Sequence, residues 1–480
     1  MGDHAMTPVV SPAGRPPRAL VVAYHFPPEG SIGTHRTLRL VRQLSERGWD
    51  VTVLTGTAGT YSAGCTIDPH LLTRVPSTVK VVRAPALRPF DWLTNVFGTQ
   101  QRKRPGADPV PSVTGNAANA RPRGASWLLR AKQRIDALLG IPDQHVGWLL
   151  PALAAGLAAS VGRAPDVLYS TAPPWSGQLV SRALASLLRC PWVADFRDPW
   201  ARAPWREGRL TAARRAAELF ERLVIRRADA IVFTTRTNLE EYAAFYPTEA
   251  RKFRLVRNGC DPDEFDGVTP LVRDGRFTLL HAGSLYGGRK PTALFSALAA
   301  LRDRGVIDAK SFCFRQIGRV ALSGFDMGAE RTRLGLDGMV ELVESQPRRE
   351  ILREMRGASC LLLLQPGTTV SIPGKLFEYL AAGRPILAIA EPGETADLVR
   401  ASGCGLAVLP DDQEGIERAI ESLVRQGIAA PAAPPVELFD GRLRTGELAA
   451  VLDHVAGDRV ATHPAATASR RESLRPGARI

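Results

Sequence analysis

The sequence predicts an α/β protein of two domains, each built on a parallel sheet. Apolar strand segments alternate with segments of helical periodicity along most of the 480 residues. Two such series, over residues 18–261 and 262–442, each open with a strand that runs into a glycine-containing loop. A chain of this length also exceeds what one hydrophobic core usually serves, which favours at least two domains.

The first series opens with a βαβ unit. Residues 18–24 form an apolar strand, a loop rich in proline and glycine follows, and residues 36–46 carry apolar side chains at helical spacing up to Gly48. The next strand begins at Val51. Ligands of open α/β sheets bind at the carboxyl ends of the strands, so this loop is a candidate binding element. Further strands are predicted at residues 167–171, 192–195 and 230–235.

The second series follows a polar stretch, residues 262–275, which lacks periodicity and predicts the domain boundary. A strand over residues 277–284 enters a second glycine-rich loop, and a helix is predicted from Thr292. A separate C-terminal helix at 443–461 is a candidate for packing back on the N-terminal domain. The other strands are predicted near 312–317, 339–343, 359–364, 386–390 and 406–408, and a helix near 411–427.

Three segments are predicted to lack stable structure. Residues 1–17 are polar and rich in proline, and residues 462–480 are polar and rich in arginine. Residues 99–126 form a basic, low-complexity stretch, which predicts a flexible basic insertion in the N-terminal domain.

The charge balance points to anionic partners in general. The net charge is +14 and the isoelectric point is about 10.0. Arginine supplies most of the basic residues, and together with abundant alanine this fits a bias in genomic base composition. We therefore predict no nucleic-acid partner. On charge alone, a negatively charged membrane surface is as good a candidate as a nucleic acid.

Cysteine usage and hydropathy predict a cytoplasmic protein. The six cysteines are scattered, without a CxxC pair or Cys/His ligand spacing, which is typical of free thiols in a reducing compartment. The longest apolar stretch, residues 148–161, is shorter than the roughly 20 residues that cross a bilayer. Contact with the inner face of the membrane stays open.

Several common site motifs are missing from the sequence. Neither glycine loop fits the phosphate loop GxxxxGK[ST] or a GxGxxG loop with a ribose-binding carboxylate. No HExxH metal motif and no GxSxG nucleophile elbow is present. We therefore expect no metal and no cofactor.

Residues 371–388 are the most informative segment. A Pro-Gly loop carries Lys375, a helix follows with Glu378 expected in its first turn, and Gly383 separates the helix from an apolar strand. Helix N-termini offer free N–H groups and partial positive charge to phosphate groups. Lys375 adds a full charge there, and Glu378 is placed to accept hydrogen bonds from sugar hydroxyls. The segment predicts a nucleoside-diphosphate site.

Five motifs along the chain occur together in the order and spacing of a known family. They lie at residues 24–36, 192–200, 257–262, 281–289 and 371–388. With these motifs the chain resembles the GT-B fold glycosyltransferases of the retaining glycosyltransferase family 4 type, also called glycosyl transferase group 1. The resemblance spans residues 18–455 apart from the 99–126 insertion. It implies two Rossmann-like domains that face each other across a cleft, with a nucleotide sugar bound mainly by the C-terminal domain.

The resemblance implies roles for donor-site residues. Glu378 matches the carboxylate that grips the nucleotide ribose, and Arg289 stands where the family places a diphosphate-binding lysine. Two positions depart from the pattern: Ser284 replaces an arginine, and Val370 replaces a second carboxylate. Lys375 is expected to supply the missing charge. The complete donor-binding set is Gly30, Gly33, Gly283, Ser284, Arg289, Ser371, Pro373, Gly374, Lys375 and Glu378.

The N-terminal domain contributes a second group of candidates. Asp195, Arg197 and Asp198 follow a predicted strand, and Arg197 occupies the position of a family histidine near the donor sugar. Arginine stays protonated at neutral pH, so its role would be electrostatic. A buried Asp–Arg–Asp structural network is the alternative. Arg36 and His35 are candidate acceptor contacts, and a surface ion pair is the alternative for Arg36.

The sequence thus predicts an enzyme that moves a sugar from a nucleoside-diphosphate sugar to a hydroxyl acceptor, which is a glycan, a lipid-linked sugar or a small molecule. The resemblance implies retention of anomeric configuration, and bacterial surface polysaccharide or glycolipid synthesis is the expected setting. The catalytic candidates are Asp195, Arg197, Asp198, Arg289 and Lys375. Three alternatives stay open: a GT-B sugar-nucleotide epimerase, a non-catalytic nucleotide- or glycan-binding module, and a basic membrane or nucleic-acid adaptor.

Overall fold

The computed structural model describes residues 15–61, 65, 67–87, 141–203, 211–271, 273, 275–426 and 435–462. Residues 1–14, the 99–126 insertion and residues 463–480 lie outside this part, so their predicted disorder is not tested. The described residues form two parallel sheets with helices on their faces, as the alternation of strand and helix segments predicts.

The first sheet has seven strands within the described residues, in the order β3-β2-β1-β4-β5-β6-β7, and every pairing is parallel. Its strands are apolar and mostly buried on both faces, as helices on both sides of a parallel sheet require. The strands are β1 (Arg18–Val22), β2 (Asp50–Gly56), β3 (Lys80–Ala84), β4 (Val167–Ala172), β5 (Trp192–Phe196), β6 (Ala230–Phe233) and β7 (Phe253–Leu255).

Helices cover both faces of this sheet. The apolar stretch at 148–161 proves to be a short helix that packs beside the next one, so its hydrophobicity serves the core. Trp175, Trp192 and Trp200 are also buried in that core, which confirms packing as their main role. The helices are α1 (Ile32–Glu46), α2 (His70–Thr73), α3 (Leu149–Ala159), α4 (Ser176–Leu187), α5 (Thr211–Arg227) and α6 (Arg236–Phe245).

The second sheet has six strands in the order β12-β10-β8-β13-β14-β15, again all parallel within the described residues. A two-stranded ribbon of β9 and β11 lies beyond the carboxyl ends of β8 and β10. The strands are β8 (Phe277–Ala282), β9 (Leu285–Tyr286), β10 (Phe312–Ile317), β11 (Val320–Ala321), β12 (Val340–Val343), β13 (Cys360–Gln365), β14 (Ile386–Ala390) and β15 (Gly405–Val408).

The helices of the second domain follow its strands in turn. The glycine stop predicted after the 371–388 helix is present, because Gly383 has a left-handed backbone with φ of 66° at the helix end. The helices are α7 (Thr292–Asp303), α8 (Met327–Arg333), α9 (Arg348–Gly357), α10 (Gly374–Ala382), α11 (Glu394–Ala401) and α12 (Gln413–Gln426).

The last helix, α13 (Gly441–Thr462), returns to the first domain and packs against α1. The buried side chains of Leu448 and Leu452 join the same core as Leu40 and Leu44 of α1. The chain therefore crosses between the domains twice. The two crossings touch where Cys260 pairs with Asp440.

The sequence predicts free thiols and no helix that crosses a membrane, and the structure bears on both predictions. All six cysteines are free thiols, and five of them are buried. None of the described helices combines the length and the apolar character that a bilayer crossing demands.

The substitution Leu448→Ala should lower the stability of the first domain by about 2–5 kcal/mol, because it opens a cavity between α13 and α1. All eight tryptophans lie within residues 49–205, so tryptophan fluorescence in a urea titration reports on this domain. Leu443→Ala is the matched control, since Leu443 lies on the same helix but is 48% exposed. Equal unfolding midpoints for the two variants would show that α13 does not contribute to the first domain.

Candidate functional site

The two sheets face each other through the loops at their carboxyl ends, and contacts cross between the domains. Thr235, which follows β6, donates through Oγ1 to the carbonyl of Val370 at 3.1 Å. Glu394 at the start of α11 accepts from the N–H of Thr237 at 2.7 Å and from Arg257 at 3.1 Å. The candidate site residues of both domains surround this cleft.

The N-terminus of α10 provides the phosphate-binding geometry that the sequence predicts. Pro373 precedes the helix, and no side chain caps its first N–H groups. The loop that leads to it is held by Gln365, whose side-chain amide donates a hydrogen bond to the carbonyl of Ser371. An uncapped helix N-terminus leaves donors and partial positive charge for an anion.

Lys375 lies in the first turn of α10 and points toward the end of β8. Its Nζ lies 3.0 Å from Nε2 of His281, and a Cβ built on Gly283 would lie only 2.9 Å from that Nζ. Gly283 also has φ of 127°, a conformation that L side chains rarely adopt. Glycine is therefore needed here both for its backbone and for the room it leaves to Lys375.

A buried relay fixes the orientation of the Lys375 ammonium. Nδ1 of His281 donates to Oε1 of Gln316 at 2.6 Å, and Nε2 of Gln316 donates to the carbonyl of Gly283 at 2.8 Å. Nε2 of His281 is then the acceptor for Lys375. Burial, and after it the charge of Lys375, lower the pKa of His281 well below its ordinary value, so the ring stays neutral.

Arg289 adds a second cation beside Lys375. Its guanidinium lies over the ring of Tyr286, 4.4 Å from the ring centroid. Burial, followed by the charge of Arg289, lowers the pKa of Lys375 to about 7. Within the described residues neither cation forms an ion pair with a carboxylate. Two cations that converge without an acidic partner favour a ligand with at least two negative charges.

Glu378 lies on the same helix, but one residue beyond the first turn, which corrects the position we expected. Its Oε1 accepts from Arg348 at the start of α9 at 2.9 Å, and its side chain is 18% exposed. Oε2 has no partner among the described residues. Val370, where the family has a second carboxylate, is buried, so its side chain offers nothing to a sugar.

Arg348 connects Glu378 to a carboxylate that sequence reasoning missed. Glu264 accepts from Nε and Nη2 of Arg348 at 3.1 and 2.6 Å, and from Arg74 of the first domain at 3.0 Å. Burial alone would raise the pKa of Glu264, but Arg348 and then His35 outweigh it and hold the pKa at about 2. Four charges of alternating sign thus run from Arg74 through Glu264 and Arg348 to Glu378.

His35 also faces this chain of charges. Its Nδ1 lies 3.5 Å from Oε1 of Glu264, and burial lowers its pKa. His35 also lies close enough to Glu378 for the two charges to interact, and its predicted acceptor contact stays a prediction.

Arg36 is a structural residue in this structure, not an acceptor contact. It is 4% exposed, and all five of its N–H groups are used within the protein. Two bind Asp195, at 2.8 and 3.2 Å, and the others bind the carbonyls of Val256 and Arg257 and the side chain of Asn258. No donor remains for an acceptor anion, which corrects our expectation. Arg36 does form an ion pair, which was the alternative for this residue, but its pair with Asp195 is buried and not on the surface.

Asp195 is equally committed to the structure. It is fully buried at the end of β5. Besides Arg36, it accepts hydrogen bonds from the hydroxyls of Tyr169 at 2.6 Å and Thr171 at 3.3 Å. Burial raises the pKa of Tyr169 well above its ordinary value, so this phenol remains a donor. Both oxygens of Asp195 are thus engaged, which leaves the predicted catalytic role without a free atom.

Arg197 and Asp198 lie closer to the cleft. Arg197 donates to the carbonyl of Pro173, and a Cβ built on Gly33 would overlap its Nη1 at 1.7 Å. Gly33 therefore makes room for Arg197, and the guanidinium covers the start of α1. Asp198 is half-buried beside it, and burial raises the pKa of Asp198 despite the opposing charge of Arg197.

A buried carboxylate also accepts hydrogen bonds at the start of α1. Glu29, next to Gly30, accepts hydrogen bonds from the N–H and the hydroxyl of Ser31, at 3.0 and 2.8 Å. It also accepts one from the hydroxyl of Thr34. The loop around Gly30 and Gly33 thus already holds a negative charge at the helix N-terminus. This makes the second domain the stronger candidate for binding a diphosphate.

The structure therefore brings together most of the predicted donor residues and commits one of the two acceptor candidates, Arg36, to the interior of the first domain. Gly283, Lys375 and Glu378 form one group with Arg289, and Ser284 is exposed at its edge. Sequence reasoning missed Glu264, Arg348 and Glu394. The acidic turn at 261–264 was visible in the sequence, but nothing local connected it to residues more than 80 positions away.

One group of side chains has the composition of a metal site. His25, Glu29 and Cys65 place one ligand atom each within 4.8 Å of one another. Burial lowers the pKa of His25 to about 4, so the ring is neutral and its nitrogen lone pair is available. Glu29, however, is already bound to the start of α1. Our prediction that no metal is needed stays a prediction.

Comparisons with known proteins agree with this architecture. A glycosyl transferase 4-like domain matches residues 33–259. Comparison with curated proteins gives no significant sequence match. Among solved structures, Anabaena HepE in complex with UDP-glucose is similar, with a TM-score of 0.58 and 14% identity over 91% of this chain and 99% of that one.

Two further structures share the fold. Sucrose-phosphate synthase from Thermosynechococcus elongatus has a TM-score of 0.55 and 15% identity, over 95% of this chain and 100% of its own. WaaG, a glycosyltransferase involved in lipopolysaccharide biosynthesis, has a TM-score of 0.53 and 16% identity, over 92% and 98%. These similarities confirm the two-domain GT-B architecture. The chain has the two-domain GT-B fold, and its residues 33–259 match the glycosyl transferase 4-like domain.

Proposed function

We propose that the protein transfers a glycosyl unit from a nucleoside-diphosphate sugar to a hydroxyl acceptor. The observation that carries this proposal is the convergence of Arg289, Lys375 and the uncapped start of α10 on one point, with Glu378 one turn further along the helix. The cations and the free N–H groups suit a diphosphate, and the unpartnered Oε2 of Glu378 suits a ribose hydroxyl.

In this proposal Lys375 and Arg289 stabilise the departing diphosphate. Charge develops on the phosphate oxygen as its bond to the sugar breaks, and preorganised cations are most effective where charge develops. The relay through His281 and Gln316 holds the Lys375 ammonium in place before the donor arrives. Arg348 orients Glu378 in the same way by binding its other oxygen.

The acceptor then approaches from the first domain. Asp198 forms no hydrogen bond or ion pair within the described residues, and we assign it the hydrogen bond from the acceptor hydroxyl. Arg197, fixed against Gly33, adds positive charge near the reacting sugar. Closure of the cleft through Thr235 and Glu394 excludes water and so limits hydrolysis.

We further propose that the reaction retains the anomeric configuration. Asp195 has both oxygens engaged, so it does not serve as a nucleophile on the opposite face of the sugar. On the proposed route, the bond from the anomeric carbon to the phosphate breaks and the bond to the acceptor oxygen forms on the same face. The acceptor proton passes to the leaving phosphate oxygen.

The likeness to HepE bound to UDP-glucose supports a uridine nucleotide as the first donor to test. WaaG, which shares the fold, is involved in lipopolysaccharide biosynthesis. Together with the positive net charge, this supports a role in bacterial surface polysaccharide or glycolipid synthesis, with the enzyme in the cytoplasm at the inner face of the membrane.

Loss of the ribose contact provides the first test. In a thermal-shift screen of nucleotides and nucleotide sugars, at least one ligand should stabilise the wild type. Glu378→Ala should weaken that ligand by about 10–100-fold, because hydrogen bonds to a charged acceptor contribute about 1.5–3 kcal/mol. Glu414→Ala removes an 86% exposed carboxylate from α12 and is the matched control. Stabilisation of wild type and Glu378→Ala to the same extent would contradict the assignment of Glu378.

Acceptor dependence separates transfer from the other functions that share this fold. Release of the nucleoside diphosphate from its sugar should require a hydroxyl acceptor. Interconversion of sugar epimers without any acceptor would identify an epimerase, and tight nucleotide binding without turnover on any acceptor would identify a binding module.

The pH dependence of nucleotide affinity tests Lys375. Its pKa is about 7 in the empty site, and a bound diphosphate should raise it by stabilising the ammonium. Binding then takes up a proton above pH 7, so affinity falls by up to about tenfold per pH unit between pH 7 and the pKa of the complex. Calorimetry of UDP binding at pH 6.5, 7.5 and 8.5 measures this fall.

Lys375→Arg keeps its charge over the same range and should show a much flatter profile. The calorimetric heats in two buffers of different ionisation enthalpy report the proton uptake directly. Identical profiles for the wild type and Lys375→Arg would show that another group takes up the proton.

A further inference from the structure

A second pocket lies on the first domain, on the edge of the sheet opposite the cleft. Its volume is about 760 Å³, and it is lined by residues at the amino ends of three neighbouring strands, including Pro191 before β5, Ala230 of β6 and Arg254 of β7. The carboxyl ends of the same strands carry the loops of the cleft. The two sites are therefore separated by the length of the strands.

The pocket is strongly cationic. Five of its lining side chains are Arg189, Arg227, Arg251, Lys252 and Arg254, and its one lining carboxylate is Asp229. Asp229 is already bound by Arg227 and by the N–H of Trp192. Lys252 pairs with Glu249 at 2.6 Å. The positive charge of the remaining arginines is thus not balanced within the pocket.

The guanidinium groups of Arg189 and Arg251 are available to a ligand. Both side chains are exposed, and in the part of the chain that the structure describes neither forms a hydrogen bond or an ion pair through its guanidinium. Arg254 uses one nitrogen for the carbonyls of Arg251 and Phe253. A guanidinium group can donate two parallel hydrogen bonds to a phosphate group. Several arginines around one pocket therefore suit a ligand that carries phosphate.

The backbone of Arg189 provides an independent observation. It follows the end of α4, and the N–H of Cys190 binds the carbonyl of Ala185 in the usual helix-ending pattern. That pattern favours glycine at position 189, yet Arg189 adopts φ of 50°. It is the only described non-glycine residue with positive φ. The helix end explains the positive φ but not the choice of arginine over glycine, and an unpartnered guanidinium beside a cationic pocket is a reason for that choice.

The wall of the pocket comes from the C-terminal helix. Val451, His454 and Val455 of α13 line it, and Val455 also belongs to the core shared with α1. A ligand in the pocket therefore contacts both the strand ends of the first domain and the helix that returns to it. Binding should stabilise the docking of α13.

We propose that this pocket is a binding site for a phosphate-bearing anion, with Arg189 and Arg251 as its principal ligands. The phosphate belongs either to a soluble molecule or to the headgroup of an anionic lipid, since both present the same oxygens. The site is distinct from the donor cleft, and it does not depend on the proposed sugar transfer.

The test uses the full chain with Lys375→Met, which removes the cleft cation that also attracts phosphate. Calorimetry with inorganic pyrophosphate measures the soluble arm. Co-sedimentation with phosphatidylglycerol vesicles, compared with phosphatidylcholine vesicles, measures the lipid arm. Arg189→Gly and Arg251→Ala should each weaken binding by about tenfold in whichever arm is positive, as expected for loss of a charge-assisted hydrogen bond.

Arg189→Gly has a built-in control for folding. Glycine relieves the positive φ, so the thermal midpoint should stay the same or rise while binding weakens by the same factor of about ten. Arg418→Ala removes the same charge from a 69% exposed position on α12 and should bind as before. Saturable binding of pyrophosphate identifies a soluble ligand, and binding confined to phosphatidylglycerol vesicles identifies a headgroup. Absence of binding in both arms, or equal losses in Arg189→Gly and Arg418→Ala, overturns the proposal.

Discussion

The buried pair of Arg36 and Asp195 is the interaction on which the rest of the first domain depends. Removing two charges from water costs several kcal/mol per ion unless every donor and acceptor finds a partner. Here all five N–H groups of Arg36 are satisfied, and Tyr169 completes the shell of Asp195. These bonds join α1, β5 and the segment at 256–258 that leads into the second domain. The pair thus fixes where the first glycine loop sits and where the chain leaves the domain.

A second electrostatic arrangement links the domains to the donor site. The alternating charges from Arg74 to Glu378 cross the cleft. One carboxylate oxygen of Glu378 binds Arg348, and the other has no partner among the described residues. Such a chain makes the geometry of Glu378, the proposed ribose contact, depend on the relative position of the two domains. Donor binding and cleft closure are therefore expected to be coupled in this protein, because both act on the same carboxylate.

The sequence was sufficient for the fold class and for the local placement of the candidate residues of the second domain, because both depend on short-range patterns. Lys375 and Glu378 lie within five residues of a helix start, and Gly283 ends a strand, so spacing alone placed them. The predicted role of Arg36 was wrong for a physical reason. Arg36 meets Asp195 across 159 positions of sequence, and a one-dimensional pattern does not reveal whether a charge already has a partner. The same limit concealed Glu264 and Arg348.

The return of α13 to the first domain has a consequence for biosynthesis. The core of that domain includes Leu448 and Leu452, which are synthesised after the whole second domain. The first domain therefore emerges from the ribosome with one apolar face of α1 uncovered, and it completes its core only after the second domain has been synthesised. The two crossings then close against each other at Gly259 and Gly441, where a Cβ on Gly259 would lie 2.7 Å from the Cα of Gly441. This order makes the α1 surface a natural place for a chaperone to act during synthesis.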